Sequence, residues 1–145
     1  MEVRSDRRWA FDVDAETLWS AIAALDEYRR WWPWLRRFDG RALVAGDTWE
    51  CLVQPPLPYT LRFGIDIHDV VPHRLVTASV HGDITGTARL ELEPDGSGCD
   101  VRLQSALAPA NGVLKAIARV ARPVAQFGHD WVLDTGARQF RARGL

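Results

Sequence analysis

Pro123–Arg143, PVAQFGHDWVLDTGARQFRAR, is the segment that decides the fold of this chain. Side chains spaced by about 100° along a helix sort it into an apolar face and a polar face. The apolar face carries Val124, Phe127, Gly128, Trp131, Val132 and Thr135, and the opposite face carries Gln126, Asp130, Asp134 and Arg141. At about 1.5 Å per residue the helix would reach roughly 30 Å, the width of a small domain. The pattern therefore predicts a long C-terminal helix that packs one face against the rest of the chain.

The N-terminal part of the chain predicts one strand and two short helices. Apolar residues alternate with polar ones near the end of Glu2–Val13, which is typical of a half-buried strand. Asp14 is a good N-cap for a first helix, whose apolar residues repeat at helical spacing. Asp26 can start a second, shorter helix, which must end before Pro33.

The central part of the chain, Leu35–Leu107, predicts about six antiparallel strands. Turn residues divide it into runs of roughly 8 to 12 residues, with alternation clearest around Phe63 and Ile65. Asn111 can then cap a short helix that Pro123 interrupts, before the long helix begins. One strand, two helices, six strands and a terminal helix indicate an α+β fold in which helices are segregated from an antiparallel sheet.

Composition excludes several classes of function. A length of 145 residues predicts a single domain, residues 1–145, with a substantial core. A formal net charge of −1, with basic residues dispersed along the chain, predicts no nucleic-acid binding, and no apolar run approaches the roughly 20 residues of a membrane span. Cys51 and Cys99 have no CxxC spacing, and no charged-then-apolar leader is present, so we expect a cytoplasmic protein with reduced thiols. GxSxG, HExxH, Walker-type and GxGxxG strings are absent, and we predict no metal and no cofactor.

Several local strings, in this order along the chain, resemble the START-like (SRPBCC) superfamily, also called the helix-grip or Bet v 1-like fold. Within it, the chain is most similar to the polyketide cyclase/dehydrase and lipid-transport group. The strings are Phe11-Asp12-Val13-Asp14 leading into Leu18-Trp19, Trp31-Trp32-Pro33, Pro58-Tyr59, Gly82-Asp83-Ile84-Thr85-Gly86, and His129-Asp130-Trp131-Val132 followed by Gly136. The resemblance implies a seven-stranded curved antiparallel sheet around the C-terminal helix. It also implies an apolar cavity between them, which in relatives takes lipids, sterols or aromatic polyketides.

A small set of side chains is predicted to face such a cavity. The candidates on the strands and loops are Trp49, Cys51, Tyr59, Phe63, Ile65, Val80, Leu90 and Ser105, and those on the long helix are Gly128, His129, Trp131, Val132 and Thr135. Apolar walls with a few convergent polar groups are typical of small-molecule sites. For the tryptophans the alternative is that they simply fill the space between sheet and helix.

His129 and Tyr59 are the best candidates for catalysis. An imidazole at the mouth of the cavity could transfer protons near neutral pH or donate a hydrogen bond to a ligand carbonyl. Alternatively, His129 hydrogen-bonds a neighbouring loop or strand and fixes the helix, and we favour this interpretation because no partner for a lone base is visible. The other histidines, His68, His73 and His81, are predicted at the surface or rim.

Three hypotheses about function follow. The first is binding, with transport or sequestration, of a small hydrophobic ligand, lipid-like or aromatic. The second is a polyketide cyclase, aromatase or dehydratase that uses His129 or Tyr59 for proton transfer. The third is a protein-interaction module that docks a partner through exposed Trp31, Trp32 and Trp34. Burial of those three rings would contradict the third hypothesis.

Overall fold

The computed structural model describes residues 2–145, apart from the side chains of Arg122 and Ala125. The chain forms seven strands, with one group of helices after the first strand and a second group after the seventh. The strands are β1 Val3–Phe11, β2 Leu35–Asp39, β3 Thr48–Val53, β4 Leu61–Val71, β5 Leu75–Gly82, β6 Ile84–Asp95 and β7 Gly98–Pro109. The helices are α1 Ala15–Ile22, α2 Tyr28–Trp31, α3 Gly112–Val120 and α4 Arg122–Arg143, with a 3₁₀ turn at Leu25–Glu27 before α2.

All seven strands belong to one antiparallel sheet, in the order β1-β7-β6-β5-β4-β3-β2. The first strand pairs with the last along its whole length, from Val3 opposite Leu107 to Phe11 opposite Cys99. The sheet curls, and α4 lies across its concave face. The predicted α+β helix-grip fold, with a seven-stranded curved sheet around a long C-terminal helix, is confirmed.

Side-chain caps start two of the helices where the sequence predicts them. The Asp14 carboxylate accepts a hydrogen bond from the backbone N–H of Thr17 at 2.7 Å, and the Asn111 side chain accepts one from Leu114 at 2.7 Å. The hydrogen bond from Thr17 stabilises the ionised carboxylate and so lowers the pKa of Asp14. The predicted start of the second helix at Asp26 is wrong, because that residue lies in the 3₁₀ turn.

The inner face of the sheet is set by the period of two along each strand. In β1 the odd-numbered residues are the less exposed ones, and the pattern ends on buried Phe11. In β5 the same alternation buries Val76, Ala78 and Val80. These inward positions form the core together with residues of α1 and α2. The curved sheet therefore supplies the floor beneath α4.

The orientation of α4 differs from the predicted one. Phe127 is 51% exposed, and Asp130 contacts β1 instead of lying opposite the sheet. The residues that face the space over the sheet are Val132, Leu133, Gly136, Ala137 and Phe140. The buried face of α4 is therefore rotated about the helix axis relative to the predicted one. Contacts of Trp131 on one side of the helix and of Asp130 on the other fix this rotation. None of the described helices is long and apolar enough to span a membrane.

Candidate ligand-binding cavity

A cavity of about 370 Å³ lies between α4 and the inner face of the sheet. Its walls are almost entirely apolar, and they come from every layer of the fold. The lining residues of the sheet are Trp9, Phe11, Leu35, Phe38, Trp49, Cys51, Ile65, Ile67, Val76, Ala78, Ala88, Leu90, Val101 and Leu103. Helices and loops outside the sheet contribute Leu18, Ile22, Tyr28, Trp32, Trp34, Leu43 and the five residues of α4 that face the sheet. This volume falls within the range of about 300–1,000 Å³ that is typical of small-molecule pockets.

One wall of the cavity consists of packed aromatic rings. The Tyr28 ring lies 4.9 Å from Trp32 and 5.1 Å from Phe38, measured between ring centroids. Trp32 stacks on Trp34 at 5.6 Å. Burial raises the pKa of the Tyr28 hydroxyl, which donates to the backbone carbonyl of Ile22. The wall is thus rigid and presents flat apolar surfaces to the cavity.

Hydrogen bonds link this aromatic wall to α4. The Trp32 indole donates to the Gly136 carbonyl oxygen at 2.9 Å, and the Trp34 indole donates to Gln139 Oε1 at 2.8 Å. Trp31 is only 2% exposed. The three rings therefore belong to the core and the cavity wall, and the prediction that they form an exposed docking surface is wrong.

Several of the predicted ligand-binding residues line the cavity. These are Trp49, Cys51, Ile65, Leu90 and Val132. The Trp49 indole donates to both the Ala42 carbonyl and Asp47 Oδ2 at 3.1 Å, which holds its ring against the cavity. Burial raises the pKa of the Cys51 thiol to about 12, so this group is protonated at neutral pH.

Other predicted site residues lie beside the cavity. Phe63 packs against the core cluster and Val80 is buried on the inner face of β5. Trp131 turns sideways, with its ring 6.3 Å from Trp34, and Thr135 is buried without lining the cavity. These four residues support the walls and do not form the surface of the cavity.

Gly128 and Tyr59 contact each other where the loop after β3 meets α4. A Cβ atom on Gly128 would lie 2.7 Å from the Tyr59 hydroxyl oxygen, so the glycine allows this close approach. Burial raises the pKa of the Tyr59 hydroxyl. Neither residue lines the main cavity.

A cluster of polar side chains lies on the inner face of β1 and β7, below α4. Arg7 Nη2 lies 2.9 Å from Asp130 Oδ1, and Arg7 Nε lies 3.6 Å from Asp134 Oδ1. Ser5 faces Ser105 across the β1–β7 pair. His129 Nδ1 lies 3.8 Å from the same Asp130 oxygen that pairs with Arg7.

Most of the polar atoms in this cluster are buried without a partner. The hydroxyl oxygens of Ser5 and Ser105, both ring nitrogens of His129 and Arg7 Nε have no hydrogen-bond partner among the described residues. Burial lowers the pKa of His129. The positive charge of Arg7 lowers this pKa further, and the negative charge of Asp130 opposes the shift. The imidazole is therefore neutral at pH 7. The favoured prediction that His129 hydrogen-bonds a loop or strand is wrong for the described chain.

Sequence reasoning found Ser105 and His129 but missed the rest of the cluster. Ser5 and Arg7 lie four and two positions before Trp9, on the same inward phase of β1. Extending the period of two backwards from Trp9 would have found both. Arg7 was missed because charged residues are rarely buried unless they are paired. The partner, Asp130, is 123 positions away in the sequence.

The surface histidines are placed as predicted, and the structure offers no metal site among the described residues. His68, His73 and His81 are exposed. His81 Nε2 lies 3.4 Å from Asp66 Oδ2 on the outer face of the sheet. These residues are remote from the cavity lining.

A curved antiparallel sheet that holds a long helix over an apolar cavity defines the helix-grip, or START-like, class of proteins. The chain belongs to the polyketide cyclase / dehydrase and lipid transport family, which it matches over residues 3–143. No curated protein matches the sequence.

Solved structures share this fold at low sequence identity. A START superfamily protein from Mycobacterium smegmatis has a TM-score of 0.74 at 12% identity, covering 97% of this chain and 95% of that one. An aromatase/cyclase from Streptomyces sp. R1128 has a TM-score of 0.72 at 10% identity, with coverages of 99% and 92%. Norcoclaurine synthase from Thalictrum flavum, in complex with dopamine and hydroxybenzaldehyde, has a TM-score of 0.68 at 10% identity, with coverages of 98% and 86%.

Proposed function

We propose that this protein binds a small hydrophobic molecule in the cavity beneath α4, and so sequesters or transports it. The observation that carries the proposal is an apolar cavity of about 370 Å³ that the core side chains leave unfilled. Protein interiors are otherwise packed with few voids larger than a water molecule. A cavity of this size costs stability, which favours a role for the space in holding a ligand.

The lining of the cavity favours a ligand with rings. Rings of Trp9, Trp32, Trp34 and Trp49 border the space, and flat apolar groups pack well against such surfaces. We therefore propose an aromatic or fused-ring ligand.

Binding of naphthalene, followed by tryptophan fluorescence, tests the proposal. We compare the native chain with the double variant Ala78→Leu/Ala88→Leu, which fills the cavity from two paired inward positions of β5 and β6. Their neighbours on the outer face supply the matched control, Ser79→Leu/Thr87→Leu. We expect saturable binding that weakens about tenfold or more in the filled variant and is unchanged in the control.

Native mass spectrometry after incubation with a cell extract would identify the natural ligand. An extract ligand retained by the native chain and lost from the filled variant would support the proposal. Absence of saturable naphthalene binding would contradict it.

A second candidate function is proton transfer to or from the bound ligand, as in a cyclase or dehydratase. The observation that favours it is the neutral His129, with both ring nitrogens unpartnered beside Asp130. On a poly-β-ketone substrate, we expect His129→Gln to abolish turnover. The variant Tyr59→Phe tests whether the Tyr59 hydroxyl takes part. Unchanged turnover in both variants would contradict this second function.

A further inference from the structure

The most exposed large apolar side chains of the described residues lie together on α3. Val120 is 86% exposed and Val113 is 67% exposed, although the same helix buries Leu114 and Ala118. Phe127, seven positions beyond Val120 on α4, is also exposed. Single exposed apolar residues are ordinary on protein surfaces, whereas a group of them indicates a surface that contacts another molecule.

The exposed face of α3 has an apolar flank and a cationic flank. At about 100° per residue, Val113 and Val120 lie within about 20° of each other on one flank, and Lys115 and Arg119 lie within about 40° of each other on the other. Ala116, also exposed, lies between the two flanks. The opposite side of the helix packs against α4 and β7. Apolar and basic side chains next to each other are typical of a helix that lies in the interface of a bilayer.

The charge of this part of the chain has one sign. No Asp or Glu occurs between Asp100 and Asp130, although the whole chain carries 19 acidic residues. None of the ion pairs among the described residues includes Lys115 or Arg119. The two cations of α3 are therefore available to an anionic partner.

The acidic residues that border this segment are engaged elsewhere. Asp83 lies near its start, but the Asp83 carboxylate accepts a hydrogen bond from the backbone N–H of Arg62 at 2.8 Å. Asp130 follows its end and pairs with Arg7 at 2.9 Å. Neither carboxylate neutralises the cationic flank of α3.

We propose that the exposed face of α3, with Phe127 beside it, docks on the surface of a bilayer that contains anionic phospholipids. Val113, Val120 and Phe127 enter the boundary between headgroups and acyl chains, and Lys115 and Arg119 reach the lipid phosphates with their long side chains. The helix lies on the bilayer and does not cross it. The proposal concerns an interaction surface and does not depend on what the cavity binds.

Charge disfavours a second copy of this chain as the partner. A two-fold interface brings the same surface of both copies together. With cations and no acidic residue in the segment, Lys115 and Arg119 would meet no opposite charge there, and like charges across an interface are costly. An anionic lipid surface matches the apolar flank and the cationic flank at once, because bilayer binding sums apolar burial and electrostatic attraction.

Flotation of the full chain with lipid vesicles tests the proposal. One set of vesicles is phosphatidylcholine alone, and the other contains about a third of phosphatidylglycerol. We expect binding to the anionic vesicles, weakening as salt rises from about 0.1 M to about 0.5 M because salt screens the attraction. Neutral vesicles should bind about tenfold more weakly or less, since each cation near an anionic surface contributes roughly fivefold.

Two double variants separate the apolar and cationic contributions. Val113→Ser/Val120→Ser removes the apolar flank, and Lys115→Gln/Arg119→Gln removes the cationic flank. Each should weaken binding to anionic vesicles about tenfold. The four positions are exposed, so both variants should fold like the native chain, which circular dichroism checks.

Matched controls carry the same substitutions elsewhere on the surface. Val44→Ser/Val71→Ser changes two other exposed valines, and Arg36→Gln/Arg37→Gln removes two exposed charges from β2. Both controls should bind anionic vesicles like the native chain. The second control has the same net charge as Lys115→Gln/Arg119→Gln, so it separates a local docking face from an effect of total charge.

Each outcome supports or overturns the proposal. No binding of the native chain to anionic vesicles overturns it, as expected if an acidic protein were the partner of this face. Equal binding to neutral and anionic vesicles, native binding by either α3 variant, or an equal loss in the arginine control also overturns it. Naphthalene binding should stay native in both α3 variants, and the cavity-filled Ala78→Leu/Ala88→Leu variant should keep its vesicle binding. The docking face and the proposed function therefore fail independently.

Discussion

Trp32 Nε1 donates a hydrogen bond to the Gly136 carbonyl oxygen at 2.9 Å, which links the segment after α2 to the middle of α4. Both residues line the cavity. Trp32→Phe keeps an aromatic ring and removes the donor, so we expect the free energy of unfolding to fall by about 1 to 2 kcal/mol. Urea unfolding monitored by circular dichroism measures the change.

Trp34→Phe is the matched comparison for this prediction. Its indole donates to Gln139 Oε1, a side-chain acceptor that can turn towards water once the donor is lost. We therefore expect a smaller loss of stability in Trp34→Phe than in Trp32→Phe. The reverse order would show that the Trp32–Gly136 bond does not hold α4.

Gly86 lies where β6 and β7 approach closely. Its φ is +153°, and a Cβ atom there would lie 1.8 Å from the Ala106 carbonyl oxygen. Gly86→Ala must therefore separate the two strands, and we expect a loss of about 3 kcal/mol or more in the free energy of unfolding. Thermal and urea unfolding measure it.

Gly112→Ala is the control for the Gly86 variant. Gly112 is the first residue of α3, is exposed, and has no neighbouring atom within 4 Å of a built Cβ. Alanine is the better helix former, so stability should be unchanged or slightly higher. Similar losses in both variants would contradict the close-approach explanation.

The fold could be predicted from the sequence because its signals are local. Alternation in β5 and the caps at Asp14 and Asn111 depend on residues a few positions apart, and all were confirmed. The rotation of α4 could not be predicted in this way. Trp131 packs against Trp34 on one side of the helix and Asp130 pairs with Arg7 on the other, and these contacts span about a hundred positions or more.

The candidate site could be predicted only in part, for a related reason. Trp49 and Cys51 follow from strand alternation, and both line the cavity. Ser5 and Arg7 share the inward phase of β1, but a charged side chain indicates the surface until its partner is known. The partner of Arg7 comes from the far end of the chain, so the polar cluster is visible only in three dimensions.

Cys51 should react very slowly with thiol reagents in the native protein. Its pKa of about 12 leaves roughly one thiol in ten thousand ionised at pH 8, against about one in ten at the ordinary pKa of 9.0. In the Cys99→Ala variant, we expect a disulfide reagent to label Cys51 at least about a thousand times more slowly in the native protein than in urea. Bound naphthalene should slow it further, because Cys51 lines the cavity.

Mass spectrometry of the time course checks this prediction. The unfolded chain in urea is the control for reagent activity. Complete labelling of the native protein within the time needed for the unfolded chain would show that Cys51 is neither buried nor held protonated.

His129 should make the stability of the protein depend on pH in the range where histidine titrates. Burial lowers its pKa below the ordinary value of 6.5, with Asp130 opposing and Arg7 reinforcing the shift. As the pH falls below 6.5, the unfolded chain binds a proton that the folded chain does not. The free energy of unfolding must then fall, until the pH passes below the lowered pKa of the folded state. Above pH 7 the group is neutral in both states and contributes no pH dependence.

Urea unfolding of the native chain and of His129→Gln between pH 5 and 8 isolates this contribution. Carboxylates with lowered pKa values, such as Asp14, lose their stabilising effect only below their ordinary value of 3.8, so they do not overlap this range. We expect the variant to lose less stability than the native chain between pH 7 and 5. Equal slopes for the native chain and His129→Gln would mean that folding does not lower the pKa of His129, and would contradict this prediction.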